Sequence, residues 1–284
     1  MPELPEVETI RIGLDKKLSG HIVTDINILT TKSFQGDKKE IIGKRIARVT
    51  RRAKIIRIGF SGINLLIHLK MTGQLIYLFS DKRLAGGHPS HDWHTKLPNK
   101  HTRAIITLDN GSKLFFNDLR KFGWIKVTDD KTTDEIFSKF GPEPLSKEFS
   151  ASYLSGKAKK TPAKNIKQFL MDQKNIAGVG NIYNDETLYL AKIHPLTKVG
   201  QLSDSQWNTV YGSLIKTLVK GIKYGGTTDS DYVNIDGEVG GMQDHLNVYH
   251  RQNEKCRSCR GMIRRIKVNG RGTYFCPSCQ KEPG

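Results

Sequence analysis

Apolar residues return at helical intervals at the start of the chain. Val7, Ile10, Leu14 and Leu18 share one stripe, which predicts a short helix with one buried face. Pro5 suits its first turn, and Glu3, Glu6 and Glu8 suit the positive end of its dipole. The pattern then turns β-rich through HIVTDINIL, KRIARVTRRAKIIRIGF, INLLIHLKM, QLIYLF, TRAIITLD and KLFFND. Asn110-Gly111 between the last two is a strong two-residue hairpin signal. Short strands in series with no helix between them predict an antiparallel sandwich or barrel. Ser80 to Lys100, rich in His, Pro and Gly, reads as a long loop.

Near residues 130–150 the pattern changes. Asp129 to Pro144 carries mixed charge and ends in GPEP, which reads as a linker. Helices are then expected over roughly Pro162–Lys174, Asn181–Ile193 and Ser203–Tyr224. Ser203 and Gln206 form a capping box for the last, and Trp207, Val210, Leu214 and Leu218 form its buried stripe. Gly225–Met242 is Gly- and Asp-rich with little periodicity, hence a loop. There is no internal repeat and no low-complexity tract.

The chain has 284 residues, which suggests two domains, each able to bury a core. Lys plus Arg is 46 against 28 Asp plus Glu, a formal charge of +18. So positive a balance predicts a polyanionic partner, nucleic acid or an acidic membrane surface. No apolar run approaches the ~18 residues of a membrane span, and the acidic, proline-bearing start MPELPEVET is no signal peptide. A cytoplasmic protein is expected. Four cysteines in a chain this long exclude a disulfide scaffold.

All four cysteines fall in Cys256-x2-Cys259 and Cys276-x2-Cys279. Two CxxC knuckles match a closed tetrahedral Zn2+ site, structural because no fourth position is open to water. The intervening MIRRIKV, Asn269-Gly270 and TYFC read as a hairpin. Arg251, Lys255, Arg257, Arg260, Arg264, Arg265, Lys267 and Arg271 surround it with one acid, Glu254, a basic ribbon suited to phosphate. Arg271 follows the tight turn and so belongs at the ribbon tip. Gly178-Val179-Gly180-Asn181 places a glycine turn before a helix whose free N–H groups suit a phosphate. At the other end, removal of Met1 leaves Pro2 as an α-amine with a pKa near 8. Such an amine is partly deprotonated at neutral pH and can attack a sugar carbon to give an iminium ion, with Glu3 beside it as a general acid.

These stretches together resemble one family. MPELPEVET, RRAK, HLKMTG, FNDLRKFG, LMDQKNIAGVGNIYNDE and GRGTYFCPSCQ are similar, in order and over nearly the whole chain, to the formamidopyrimidine-DNA glycosylases. The resemblance implies an α+β protein of two domains: an antiparallel β-sandwich with an N-terminal helix, then a helix–two-turns–helix bundle with a β-hairpin zinc finger, DNA lying between the halves. It implies the ranges 1–130 for the catalytic sandwich, 131–148 for a linker, 149–245 for the DNA-binding helices with a lesion-capping loop at 225–242, and 246–280 for the finger. By the same resemblance Pro2 is the nucleophile, Glu3 the proton donor to the sugar, and Glu6 a carboxylate near the flipped nucleotide. Lys54 contacts phosphate and assists β-elimination, and Arg271 grips the lesion phosphates and serves δ-elimination. By it, too, His101, Lys167 and Asn181 contact the DNA; Lys164 belongs to the basic run Lys157, Lys159, Lys160 and Lys164, which adds phosphate affinity.

Met71, Arg120 and Phe122 match the residues that fill the void of an extruded base. Apolar wedges and an arginine replace lost stacking and pairing, and the Arg120 guanidinium can donate to the orphaned cytosine. The implied activity is a bifunctional glycosylase and abasic-site lyase, with one Zn2+, acting on damaged double-stranded DNA as a monomer with no membrane partner. Leu4 after Glu3 and the Met-Arg-Phe triad resemble the purine-lesion branch, for 8-oxoguanine and formamidopyrimidines. An endonuclease VIII-like enzyme for oxidised pyrimidines and a non-catalytic damage binder are the alternatives. The His88, His91 and His94 cluster matches no family role.

Overall fold

The computed structural model describes residues 1–80, 82–87, 96–227 and 240–283. Two compact units emerge: Met1–Ser138 with Gly221–Gln243, and Lys139–Lys220 with Asp244–Gly284. Among the described residues no helix is long and apolar enough to cross a membrane.

The first unit opens with α1 (Leu4–Leu18). The Glu3 amide donates to the Glu6 carboxylate at 2.8 Å, closing the first turn. Leu4, Val7, Ile10, Leu14 and Leu18 are at most 1% exposed, as the stripe predicts. Ten strands follow among the described residues. β1 (Val23–Ile28), β6 (Gly73–Phe79), β7 (Lys82–Gly87), β8 (Thr102–Leu108) and β9 (Lys113–Asp118) form an antiparallel sheet in the order β1-β8-β9-β6-β7. β2 (Phe34–Gln35), β3 (Arg48–Arg52), β4 (Ile55–Gly59), β5 (Ile63–His68) and β10 (Trp124–Asp129) form the other, in the order β2-β10-β5-β4-β3. In that sheet the short β2–β10 pairing is parallel and the others antiparallel. Side chains alternate across each strand. Leu75 and Tyr77 join a core shared by both sheets and α1, whereas Ile76 packs on the opposite face with Ala85 and Phe115.

Two expectations change here. The stretch from Ser80 to Lys100 contains strand β7, paired along its length with β6. Its LAGG sequence has little strand propensity; tertiary packing selects it. A Cβ on Gly86 would lie 2.6 Å from Ile10 of α1, and one on Gly87 would lie 2.5 Å from the Gly73 carbonyl. His88, His91 and His94 lie outside the described residues. The linker, in turn, holds a helix, α2 (Asp130–Phe137), whose first turn is capped by Asp129 accepting from the Thr132 amide at 2.7 Å.

The second unit holds α3 (Ala151–Ala158), α4 (Ile166–Met171), α5 (Asn181–Leu190) and most of α6 (Asp204–Lys223). Ser203 and Gln206 cap α6 reciprocally, at 2.9 and 3.3 Å. Its stripe residues Trp207, Val210, Leu214 and Leu218 are at most 2% exposed. α4 is shorter than its apolar pattern suggests. Lys164 and Ile166 exchange backbone hydrogen bonds with Val199 and Thr197, so helix begins only after the Asn165 cap. α5 stops at Leu190 because Lys192 adopts a positive φ of 55°. The unit closes with the hairpin β11 (Arg264–Val268) and β12 (Arg271–Phe275). Asn269 and Gly270 both have positive φ, 48° and 76°, the two-residue turn that matches strand twist.

Candidate DNA-binding and catalytic site

In the first unit Pro2, Glu3 and Glu6 are buried at the head of α1. The Glu6 carboxylate accepts from the Glu3 amide through one oxygen and from the Thr227 amide, at 2.8 Å, through the other. Gly226 lies against it with φ +86°, and a Cβ there would sit 2.8 Å from Glu6 Cγ. Glu6 therefore anchors the root of the 225–242 segment, which explains why Gly221–Gln243 groups with the first unit rather than with the helices. Residues 228–239 of the expected capping loop lie outside those described.

Lys54 sits at the turn of the β3–β4 hairpin, 6% exposed, after Ala53 in a left-handed conformation (φ 53°). That turn is tethered to α1. Arg51 donates to the Ala53 carbonyl at 2.8 Å and to the Glu8 carboxylate at 3.0 Å. Nothing in the residue pattern signals this tether beyond an arginine at the right register. His68 opens the stretch HLKMTG, but no role is read for it from the sequence. It pairs with Ile55, next to Lys54, and its Nδ1 accepts from the Lys70 amide at 3.0 Å. Burial, then the charges of Lys70 and Lys54, push its pKa down to about 3. The ring is neutral, and with Nδ1 accepting, its Nε2–H is left as a donor.

Met71, Arg120 and Phe122 come together on two adjoining turns, between β5 and β6 and between β9 and β10. Met71 is 37% exposed and Phe122 52%, and the Arg120 guanidinium stacks 4.7 Å above the Phe122 ring. Fully buried Asp118 organises both turns. It accepts from the Thr72 hydroxyl, from the Arg120 amide at 3.2 Å and from the Gly123 amide at 2.6 Å. His101 stands at the root of the second turn, its carbonyl accepting the Asp118 amide at 2.9 Å.

In the second unit the Gly178 turn (φ +82°) delivers Asn181 to the start of α5. Arg271 is exposed beside the ribbon turn. A cleft of about 270 Å³ lies among Lys164, Lys167, Gln168, Asp172, Asn269 and Arg271. Two of the lysines are already paired. Lys164 meets Asp172 at 3.0 Å and remains about a third exposed. Lys167 is 1% exposed, and its ammonium lies 2.5 Å from Asp185, so its charge is directed inward rather than at a phosphate. Burial raises the Asp185 carboxyl to about 7, against the pull of Lys167.

The four cysteine sulfurs lie within 4.8 Å of one another. Cys256 and Cys279 are 3.9 Å apart, Cys259 and Cys276 3.4 Å. These separations are far beyond a disulfide and near the ~3.8 Å between thiolates sharing one tetrahedral Zn2+. Cys256, Cys259, Cys276 and Cys279 thus hold one structural zinc ion. The stretch leading into the finger is gripped by buried Glu186, whose carboxylate accepts the amides of Asn247, Val248 and Tyr249 at 2.8–3.0 Å.

A β-sandwich led by a Pro-Glu helix and a helical unit ending in a four-cysteine hairpin define a zinc-finger protein of the helix–two-turns–helix class. Family models agree segment by segment: the formamidopyrimidine-DNA glycosylase N-terminal domain over residues 1–125, its H2TH domain over 140–233, and the zinc finger found in FPG and IleRS over 253–281. The chain is 38% identical to the formamidopyrimidine-DNA glycosylase of Desulforamulus reducens, covering 99% of both chains. It is 38% identical to that of Streptococcus thermophilus, over 99% of this chain and 100% of the relative. A Lactococcus lactis FPG variant solved with Fapy-dG-containing DNA superposes with a TM-score of 0.87 at 35% identity, over 99% and 100% of the two chains. The chain belongs to the formamidopyrimidine-DNA glycosylase family.

Proposed function

We propose that this protein excises oxidised purines from double-stranded DNA and then cuts the strand at the abasic site. The observation that carries this reading is the buried Pro2-Glu3 pair at the head of α1, in a chain of a glycosylase family whose solved members hold Fapy-dG DNA. The functional division is residues 1–130 for chemistry, 131–148 for the connection, 149–245 for DNA-binding helices with the 225–242 segment capping the lesion, and 246–280 for the finger. The protein acts as a cytoplasmic monomer.

The chemistry follows from residue types. Removal of Met1 frees the Pro2 secondary amine. Its lone pair bonds to C1′ of the flipped nucleotide, the glycosidic bond breaks with its electrons leaving on the base, and the proton shed by the Pro2 nitrogen neutralises that base. Glu3 gives its proton to the ring oxygen as the sugar opens, leaving an iminium between Pro2 and C1′. That cation acidifies C2′–H. Loss of the proton expels the 3′ phosphate, and a second elimination expels the 5′ phosphate. Lys54 serves the first elimination and Arg271 the second. Met71, Arg120 and Phe122 fill the emptied stack, while Glu6 supports the base pocket through Thr227. His101, Lys164 and Asn181 bind the backbone, and Lys167 supports this surface from within. The zinc ion organises the hairpin and takes no part in the bond changes.

Borohydride trapping on an 8-oxoguanine:cytosine duplex tests this reading. A cross-link mapped to Pro2 is expected. Trapping on a thymine glycol duplex alone points to the pyrimidine-lesion activity instead. Tight binding with no trapping on either duplex points to a non-catalytic binder.

A further inference from the structure

The outer edge of β12 has no third strand among the described residues. In an antiparallel ribbon alternate residues turn both backbone groups away from their partner. Here Gly272 and Tyr274 do so, and helix α5 meets them. Asn181 donates to the Gly272 carbonyl at 2.9 Å, and Asp185 accepts the Tyr274 amide at 3.0 Å. Positions i and i+4 on a helix lie about 5–6 Å apart, close to the ~6.8 Å between alternate residues of a strand. Two side chains of α5 thus supply one donor and one acceptor in strand register.

The Asp185 contact is built into the interior. Asp185 is 1% exposed, and its other oxygen is held by Lys167, also 1% exposed, at 2.5 Å. Thr273, between the two clamped residues, is fully buried. Arg271 is the residue immediately before the clamp, and its own side chain is exposed. The zinc site fixes the cysteine end of the ribbon; along β12 Asn181 holds Gly272, next to Arg271, and Asp185 holds Tyr274, two residues before Cys276.

We infer that Asp185 is a positioning residue for Arg271: with Lys167 locking its carboxylate, it holds β12 against α5 so that the arginine meets the phosphate leaving in the second elimination. This rests on the role proposed above for Arg271. The first elimination, which uses Pro2 and Lys54, does not depend on it.

The test compares two neutral variants on an abasic-site duplex. Asp185→Asn and Asp185→Leu both remove the charge that faces Lys167, but only the leucine removes the acceptor for Tyr274. With zinc retained at one per chain, Asp185→Leu is expected to lower the δ-to-β product ratio at least tenfold, with borohydride trapping at Pro2 within threefold of wild type. Asp185→Asn is expected to keep the ratio within threefold. A wild-type ratio in zinc-loaded Asp185→Leu overturns the inference, as does an equal loss of trapping and δ product in both variants, which marks a folding role. Arg271→Ala, run alongside, separates the two readings, since an unchanged ratio there sinks the Arg271 assignment itself. Hydrogen exchange in the wild-type protein then decides the clamp without any variant. The Tyr274 amide is expected to be protected at least 100-fold, and rapid exchange overturns the clamp.

Discussion

The Asp118 carboxylate accepts the hydroxyl of Thr72, residues 46 apart in sequence, and so ties the turn bearing Met71 to the turn bearing Arg120 and Phe122. Arg120 closes the arrangement, since its amide lies within reach of both Thr72 Oγ1, at 3.0 Å, and Asp118. Three exposed side chains, proposed above to fill an emptied DNA stack, are thereby carried on one buried hydrogen-bond node.

Asp118→Ala should therefore separate wedge geometry from chemistry. Removing a buried carboxylate leaves the Thr72 hydroxyl and the Gly123 amide without their acceptor, while the Arg120 amide keeps Thr72 Oγ1, at a cost of about 2–4 kcal/mol. Excision of 8-oxoguanine from a duplex should fall at least tenfold, while cutting of a preformed abasic site changes little. Chemical denaturation and single-turnover assays on both substrates check this, and equal losses on the two would place Asp118 outside the wedge.

Pro2→Gly replaces a constrained secondary amine with a primary one. Lesion affinity by gel shift should stay within about threefold, and single-turnover cleavage should fall about 100-fold or more, corresponding to roughly 2.7 kcal/mol of barrier. Wild-type turnover would remove Pro2 from the mechanism.

His68 titrates near 3 in the native protein because burial and the neighbouring ammonium groups oppose its charge. Its ordinary value is 6.5. Between these values the unfolded chain binds more protons, so stability should decline as pH falls from 6.5 toward 3. His68→Gln should flatten that decline in urea midpoints measured across this range. The pH–rate profile above pH 5 should keep its shape in the same variant, because the ring is neutral throughout.

Removing the metal should unfold the finger rather than stop a chemical step. Structural zinc supplies folding free energy directly. Chelation, or Cys256→Ser, should release the single zinc and weaken DNA binding at least 100-fold, with the β-sandwich still folded by far-UV circular dichroism. Unchanged affinity in the zinc-free protein would make the finger dispensable.

Binding should weaken steeply with salt. Each phosphate neutralised contributes about −0.9 to the slope of log affinity against log salt, and several are expected for a chain of charge +18. Arg271→Ala should reduce that slope by about 1, and Phe122→Ala should leave it unchanged while lowering lesion affinity. Titrations at four salt concentrations distinguish the two.

Much of this was legible in the sequence, for physical reasons that differ by element. The stripe Val7, Ile10, Leu14 and Leu18 specified α1 because helix burial repeats every 3.6 residues. Asn269-Gly270 specified the ribbon turn because both positions need positive φ. The CxxC pairs specified the metal because thiolate spacing and tetrahedral geometry are local. The roles proposed for Pro2 and Glu3 come from amine chemistry together with family resemblance, and that for Lys54 from the resemblance alone, since a lysine in a hairpin or a glutamate at a helix start has many ordinary explanations.

Tertiary structure alone decided the rest. LAGG became a strand because it pairs with β6, and Gly86 and Gly87 there leave room for Ile10 and the Gly73 carbonyl. Lys167, read as a DNA contact near the lesion strand, pairs with buried Asp185, and nothing in the spacing of residues 18 apart announces such a pair. Asp118, Arg51 and Asp185 fall within the stretches FNDLRKFG, RRAK and LMDQKNIAGVGNIYNDE, but no role is read for them there; each acquires its role from groups that long-range pairing brings to it. Periodicity, turn chemistry and metal ligation are short-range and therefore written along the chain, whereas which buried carboxylate holds which loop is settled only when distant segments pack.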